Sequence, residues 1–557
     1  AFSIGKWKKY TVVDDVALQI NVSGECEIQA YHCVGTADRK SLFSGRIQTP
    51  EEVDQFITCE TRVIDVKIKK NEKGYEVSFL EQPDEGIIFV SIKAKEECKL
   101  SGGYYFTVKE PTQVPYLGLG ICTFKREDFL RRNVNSVLEE IDKEDSVLHN
   151  KVEVFISDNG QSVEPSMFEH DKVHLYPNKN AGGAGGFTRT IIEAVYENPK
   201  NNISHMILMD DDIELYTEVL KRTYLFLSYM KEEHKGAMVG GEMFPLDKRY
   251  RQFEAGAEWR GPDLWFYNKS WNMKTREAVA ANEEENPIDY SGWWYSVIPV
   301  PVIKSQGLPI PMFIHYDDVE YGTRNKKNGT ILLNGICVWH PQGINKAPVR
   351  MTYYDLRNVL IGMAPKERRY PVKSVITNLR NRAIGAVMRY RYLDVEVCFE
   401  AFEDFCKGPR YFMDLEPVKK HEELAKFNNV YVSLEDAGVE LKDLHNKRVG
   451  NIKSKFLFLW GLLLWLLPSV RKIRVVGSED IGLPFSAKRL FYYDETKNMG
   501  YVTEKSYTRA WKDVCRYFKV TSMLRKNYDK IMDEWEAMKP EYTGIDFWKE
   551  YLELGEE

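Results

Sequence analysis

At 557 residues the chain is too long for one ordinary hydrophobic core, so roughly two to four domains are expected. With 43% apolar and 29% charged residues it has the composition of a folded soluble protein, not of a disordered one. A net charge of −6 gives no electrostatic reason to expect a nucleic-acid partner.

Nine cysteines lie scattered, without a CxxC or any other metal-ligand spacing, which favours a reduced, cytosolic compartment. The opening "AFSIGKWKKY" turns polar too early for a secretory signal core. The 32 tyrosines and 12 tryptophans suit flat partners such as sugar rings, although aromatic residues fill cores as well.

Residues 1–112 read as β structure. Short β-rich runs, "YTVVDDVALQINVSG" through "GYYFTVKE", alternate with Gly, Asn, Asp and Lys, which predicts a sandwich or jelly roll. The Pro-containing "EPTQVPY" marks its end. From 113 to 365 the texture is that of an α/β domain. The buried-type strand "YLGLGICTF" precedes a helix with apolar residues at Leu130, Val134, Val137, Leu138 and Ile141. The strand "VEVFIS" runs into Asp158, then come "VHLY", the glycine cluster "NKNAGGAGG", a helix, and "HMILM" ending in three aspartates. Alternating strands and helices predict a parallel sheet with helices on both faces, which binds ligands at the strand C-termini. Residues 366–557 read as mostly helical.

The cluster Gly182, Gly183, Gly185 and Gly186 is not a P-loop, since no Gly-Lys-Ser/Thr follows. It is not the dinucleotide fingerprint either, because Thr188 occupies the third glycine position. A backbone that something approaches closely and a flexible turn both remain open. For Asp210, Asp211 and Asp212 the alternatives are a solvated helix cap and a cation site. "FIHYDDVEYGTR" supplies a second acidic group, Asp317, Asp318 and Glu320, and "ICVWHPQG" supplies His340. Two carboxylates and an imidazole suit Mn²⁺ or Mg²⁺ with positions left open for phosphate oxygens. A carboxylate not consumed by the metal is then free to take a proton. Trp293 and Trp294 lie between these acidic groups, as buried packing or as a sugar-stacking platform.

The series "CTFKRED", "DNG", "NKNAGGAGGFTR", "MDDD", "GWW", "YDDVEYGTR" and "VWH" resembles the family 2 inverting glycosyltransferases, and within them the galactofuranosyltransferases. The resemblance implies an α/β GT-A core (a Rossmann-like nucleotide-diphospho-sugar transferase) with an N-terminal β-sandwich and a helical C-terminal region. It also implies transfer of galactofuranose from UDP-galactofuranose to a polyprenyl-linked or cell-surface glycan. Carried over, Thr123, Arg126 and Asp158 would hold the UDP moiety, Asp158 at the uracil, with Asp211 and the four glycines beside the donor. Asp210, Asp212 and His340 would bind the divalent cation. Asp318, or its neighbour Asp317, would be the general base, and Trp293 and Trp294 would shape the acceptor site. A family 2 enzyme using rhamnose, glucose or galactopyranose is the nearer alternative, and a non-catalytic glycan-binding protein the farther one.

The stretch 453–474, "KSKFLFLWGLLLWLLPSVRKIR", is the strongest anomaly of composition. Phe456–Leu467 carries no charge, and as a helix it would be only about 18 Å long, short of the ~30 Å hydrocarbon layer. Eight Lys or Arg against one acid between Lys442 and Arg474 suggest a segment lying on an anionic membrane surface, as opposed to a buried helix or subunit interface. The expected placement is cytoplasmic, peripheral on the inner face of the cell membrane, with room for a homo-oligomer.

Overall fold

The computed structural model describes residues 1–43, 49–198, 202–261, 263–341, 349–441, 444–445, 471–477, 487–495 and 497–555. Seven strands open the chain: β1 (Ala17–Ser23), β2 (Cys26–Ala37), β3 (Ile57–Ile64), β4 (Val66–Asn71), β5 (Gly74–Phe79), β6 (Ile87–Ala94) and β7 (Lys99–Phe106). They form two antiparallel sheets, ordered β4-β5-β1-β7 and β3-β2-β6. The period-2 pattern sends Leu18, Ile20 and Val77 from one sheet, and Ile28 and Ala30 from the other, into one buried cluster. That cluster continues into the α/β region, where Trp7 packs edge-on against Phe226 at 5.3 Å.

The central sheet has seven strands: β8 (Leu117–Thr123), β9 (Val152–Asp158), β10 (Val173–Pro177), β11 (His205–Asp210), β12 (Met238–Pro245), β15 (Ser296–Pro299) and β16 (Thr330–His340). Its order is β10-β9-β8-β11-β15-β12-β16. The first four run parallel, β15 is antiparallel to both neighbours, and β12 pairs parallel with β16. The expected parallel sheet is therefore mixed. A hairpin of β13 (Ala257–Arg260) and β14 (Asp263–Phe266) stands outside it. The helix Glu127–Ile141 buries Leu130, Val134, Val137 and Ile141 as their spacing requires.

The C-terminal region is mostly helical among the described residues, as expected, with one small sheet added. Its helices are Val372–Met388, Tyr392–Phe405 and the 36-residue Tyr507–Tyr542, but a sheet intervenes, built from β17 (Leu444–His445), β18 (Arg471–Gly477), β19 (Ala487–Asp494) and β20 (Met499–Glu504). The expected surface segment 453–474 lies outside the described residues up to 470, and its last residues belong to β18. Among the described residues no helix is long and apolar enough to cross a membrane. The boundary at 365 does not separate cores. Helix Met351–Gly362 sends Tyr353, Tyr354 and Leu360 into the cluster that holds Phe399, Phe405 and Trp535. Trp548 and Leu552, near the C-terminal end, return to pack under the glycine-rich helix Gly182–Ile191.

Candidate active site

Parallel strands deliver their C-termini to one edge, and the acidic residues collect there. Asp210 ends β11 opposite Cys122 of β8, and His340 ends β16. Asp210, Asp212 and His340 each offer a ligand atom, all within 4.8 Å of one another. His340 Nδ1 lies 2.6 Å from the Pro341 carbonyl, which only accepts, so that nitrogen carries the proton. In the neutral ring Nε2 is then a lone pair, and it faces Asp212 Oδ1 at 3.1 Å and Asp210 Oδ2 at 3.8 Å. Asp212 Oδ1 is buried and makes no hydrogen bond. Acceptors turned on one another in a closed space are what a divalent cation satisfies, so the donor set fits one. Burial lifts the Asp210 carboxyl to about 7; neighbouring Asp212 and Asp211 add to this, and His340 opposes it.

Asp211 points away from this triad. Its carboxylate accepts from Thr123 Oγ1 at 2.8 Å and from Arg126 Nη1 at 3.0 Å. Arg126 also reaches Asp212 Oδ2 at 2.6 Å, and Asn133 Nδ2 donates to the carbonyls of Asp211 and Ile213. The strand-end turn is thus pinned by groups from β8 and from the helix behind it. Asp158, 2% exposed, accepts from the backbone N–H groups of Gly160, Ser162 and Val163 at 2.6–2.9 Å. Here it caps its own loop, a role not evident in the sequence.

The second acidic pair opens the helix Asp317–Arg324. Both carboxylates are half-buried. Burial raises Asp317 to about 6. Burial and then the charge of Asp317 carry Asp318 well above the carboxylate range, with Glu254 and Asp210 adding to the effect. The triad and the pair are neighbours: Cys122, opposite Asp210, lies 3.9 Å from the Gly182 carbonyl, and Gly183 faces Asp317. Cys122 makes the same point, since the charges of Asp211, Asp210, Asp317 and Asp158 all add to the burial that raises its thiol. Glu254 is a member of this site that the sequence did not disclose. It is 3% exposed, raised to about 7 by burial, and sits in "RQFEAG" with no flanking pattern.

The glycines explain themselves by packing. Gly182 has φ +70°, and a Cβ there would lie 1.9 Å from the Phe313 carbonyl oxygen, in the loop that leads to Asp317. At Gly186 it would lie 2.1 Å from Cys122 Sγ, and at Gly185 2.3 Å from Ala181 Cβ. Gly186 is required by contact with strand β8, and Gly185 by contact with Ala181 at the start of its own helix. Gly183 is half-buried and faces Asp317. Trp293 corrects the sugar-platform expectation. It is 4% exposed and packs edge-on against Phe187 and Tyr321, which leaves no free face for a sugar. Trp294 keeps some exposed surface while its Nε1 donates to the Gly241 carbonyl at 2.7 Å.

No protein-family model matches the chain. The chain is similar to the galactofuranosyltransferase GlfT2 of Mycolicibacterium smegmatis, 26% identical over 436 residues, which is 73% of this chain and 63% of that protein. It is also 26% identical over 448 residues to GlfT2 of Mycobacterium tuberculosis, 74% of this chain and 65% of that one. It thus spans less than two thirds of the length of these curated relatives. Among solved structures, the mannosyltransferase PcManGT from Pyrobaculum calidifontis, in complex with GDP-Man and Mn²⁺, covers 47% of this chain and 66% of its own at 12% identity and TM-score 0.32. S. aureus TarS covers 44% and 39% at 12% identity and TM-score 0.30.

Proposed function

We propose that the chain is a metal-dependent inverting glycosyltransferase that transfers galactofuranose from UDP-galactofuranose to a glycan acceptor. The observation that carries this reading is the triad Asp210, Asp212 and His340 with the carboxylate pair Asp317 and Asp318 close by, linked through Cys122 and the Gly182–Gly183 turn. The similarity to curated galactofuranosyltransferases favours this sugar over other hexoses.

In this reading Asp210, Asp212 and His340 would hold a divalent cation, Mn²⁺ or Mg²⁺, and its charge would be available to a diphosphate leaving group. Asp211, fixed by Thr123 and Arg126, lines the donor side, and Arg126 supplies positive charge there. Asp318 accepts the proton of the attacking acceptor hydroxyl, and the charge of Asp317 beside it raises its basicity. One base and one leaving group on opposite faces of the sugar give inversion in a single displacement. Trp294 stands near the acceptor, which is taken to be lipid-linked and met at the membrane surface.

The test is release of UDP from a panel of UDP-sugars, with and without Mn²⁺, in the presence of galactofuranosyl acceptors. Release confined to UDP-galactofuranose and abolished by chelation is expected. Release only from another UDP-hexose would overturn the choice of sugar. No release from any donor would overturn the enzyme reading.

A further inference from the structure

The chain passes between the two N-terminal sheets twice at one end of the sandwich. Residues 24–25 lead from β1 of the first sheet to β2 of the second, and residues 95–98 lead from β6 of the second to β7 of the first. The two crossings lie side by side. Ser23 pairs with Lys99 and Cys26 with Ala94, and between them the Lys95 N–H donates to the Glu25 carbonyl at 2.9 Å. The Glu25 N–H in turn donates to Glu96 Oε1 at 2.7 Å.

A cysteine stands at each crossing, and the two thiols meet. Cys26 Sγ lies 3.5 Å from Cys98 Sγ, although 72 residues separate them in the chain. The Cys98 thiol also donates to the Glu25 carbonyl at 3.4 Å, which leaves its sulfur lone pairs turned to Cys26. Gly24 makes the approach possible: its φ is +94°, and a Cβ there would lie 2.6 Å from Cys98 Sγ. Tyr75 holds the same corner, its hydroxyl accepting from the Cys26 N–H at 3.2 Å and donating to the Gly24 carbonyl at 3.4 Å. Cys26 is 9% exposed and belongs to the sandwich core, while Cys98 is half-buried. A disulfide closes its sulfurs to about 2.05 Å, so each would move by less than about 1 Å, within the reach of side-chain torsions.

We propose that Cys26 and Cys98 form a reversible disulfide, which ties the two crossings together when the chain meets an oxidising small-molecule disulfide such as oxidised glutathione. The more exposed thiol acts first. Cys98 loses its proton to solvent, and its sulfur attacks one sulfur of the oxidant, breaking that S–S bond and releasing one glutathione. The Cys26 sulfur then displaces the second glutathione from Cys98, its proton passing to the departing sulfur. Two protein thiols are oxidised and one glutathione disulfide is reduced to two thiols, so electrons and protons balance. In the reduced compartment that the scattered cysteines favour, the pair rests as thiols. The bond restrains β6 and β7, each the edge strand of its sheet, and is independent of the transferase reading.

The experiment treats the full chain with oxidised glutathione at about pH 8, near the ordinary thiol range. Remaining thiols are alkylated, and the digest is mapped by mass spectrometry without reductant. The expected product is a peptide pair joined through Cys26 and Cys98, separated again by dithiothreitol. Cys26→Ser should stop at the first step and keep glutathione on Cys98. Hydrogen exchange of the β6 and β7 amides should slow by at least about tenfold in the oxidised wild type, and not in Cys98→Ser treated alike. Tenfold is below the usual effect of closing a long loop, so a true bond should exceed it. Absence of the linked pair, Cys98 joined to another cysteine, or exchange unchanged by the bond would each overturn the proposal. So would Cys98 free of glutathione in Cys26→Ser.

Discussion

The helix that carries Asp317 and Asp318 is clamped by a buried charge cluster, and Glu320→Gln should release it. Glu320 is 2% exposed at its side chain and accepts from Arg324 Nε at 2.7 Å and Lys539 Nζ at 3.1 Å, with Arg368 at 3.8 Å. Burial alone would raise its carboxyl, but the charges of Arg324, Lys539 and Arg368 bring it down to about 2 from the ordinary 4.5. The gap between those values corresponds to about 3 kcal/mol of stability at neutral pH. A carboxyl lowered by folding contributes fully above its unfolded value and loses the contribution as pH falls toward about 2. The difference between wild type and Glu320→Gln should therefore be greatest at pH 7 and shrink to about half by pH 3. Pulse-labelling hydrogen exchange along a urea titration, read on peptides spanning 317–324, measures it at each pH. A difference below ~0.5 kcal/mol at neutral pH, or one that does not change with pH, would refute the argument, because it would equal an exposed pair.

Other outcomes follow from the cleft. Asp318→Asn should retain UDP affinity by calorimetry and lose turnover by at least about a hundredfold, the scale of a lost general base. In the wild type, turnover should rise with pH on a limb above about 6, since burial raises both Asp317 and Asp318 and the reacting form is the deprotonated one. A profile flat from pH 5.5 to 8 would count against either residue as the base. Asp212→Asn and His340→Ala should each weaken Mn²⁺ binding at least about tenfold by electron paramagnetic resonance without nucleotide present; unchanged binding would remove the triad from the metal site. Trp293→Ala should lower stability by about 3–5 kcal/mol, as emptying a buried aromatic site does, with little change in acceptor KM among molecules that remain folded. A raised KM at unchanged melting temperature would restore the sugar platform.

Much of the cleft was legible because its chemistry lies in short, dense strings. The three aspartates after an apolar run and "VWH" each placed charge at the end of a strand, which carries it to one edge, while "YDDVE" opens a helix after a loop. What escaped has no local signature. Glu254 is a lone acid in an irregular stretch, and only the packing of that stretch beside β12 brings it to Asp318. Trp293 and Trp294 are adjacent in sequence and so point in different directions, one into the cluster under the sheet and one toward Gly241. The sheet of β17–β20 was hidden for a related reason. Its pairing of β18 with β19 is parallel and joins strands without the turn signal a hairpin would show. The glycine cluster leaves a close approach and a flexible turn both open in the sequence; at Gly182 and Gly186 the chain itself makes the close approach.

That close approach bears on how the base is aimed. The loop before Asp317 holds Phe313, His315 and Tyr316 at φ of 71°, 64° and 68°, each costing about 1–2 kcal/mol for a residue with a side chain. Four groups offset the cost. Gly182 leaves room for the Phe313 carbonyl, and His315 Nδ1 meets Asp355 at 2.7 Å. From inside, Asn358 Nδ2 donates to the carbonyls of Met312, Ile314 and His315 at 2.8–3.2 Å, while Arg357 donates to that of Met312 at 3.0 Å. A relaxed loop would set the first turn of the following helix elsewhere, and with it both carboxylates. The strain is therefore tied to where Asp317 and Asp318 stand, and helix Met351–Gly362, which lies in the C-terminal core, is the element that maintains it. This gives the helical region a part in the chemistry of the cleft without contributing a reacting group. It also accounts for why residue 365 separates the two regions in sequence but not in packing.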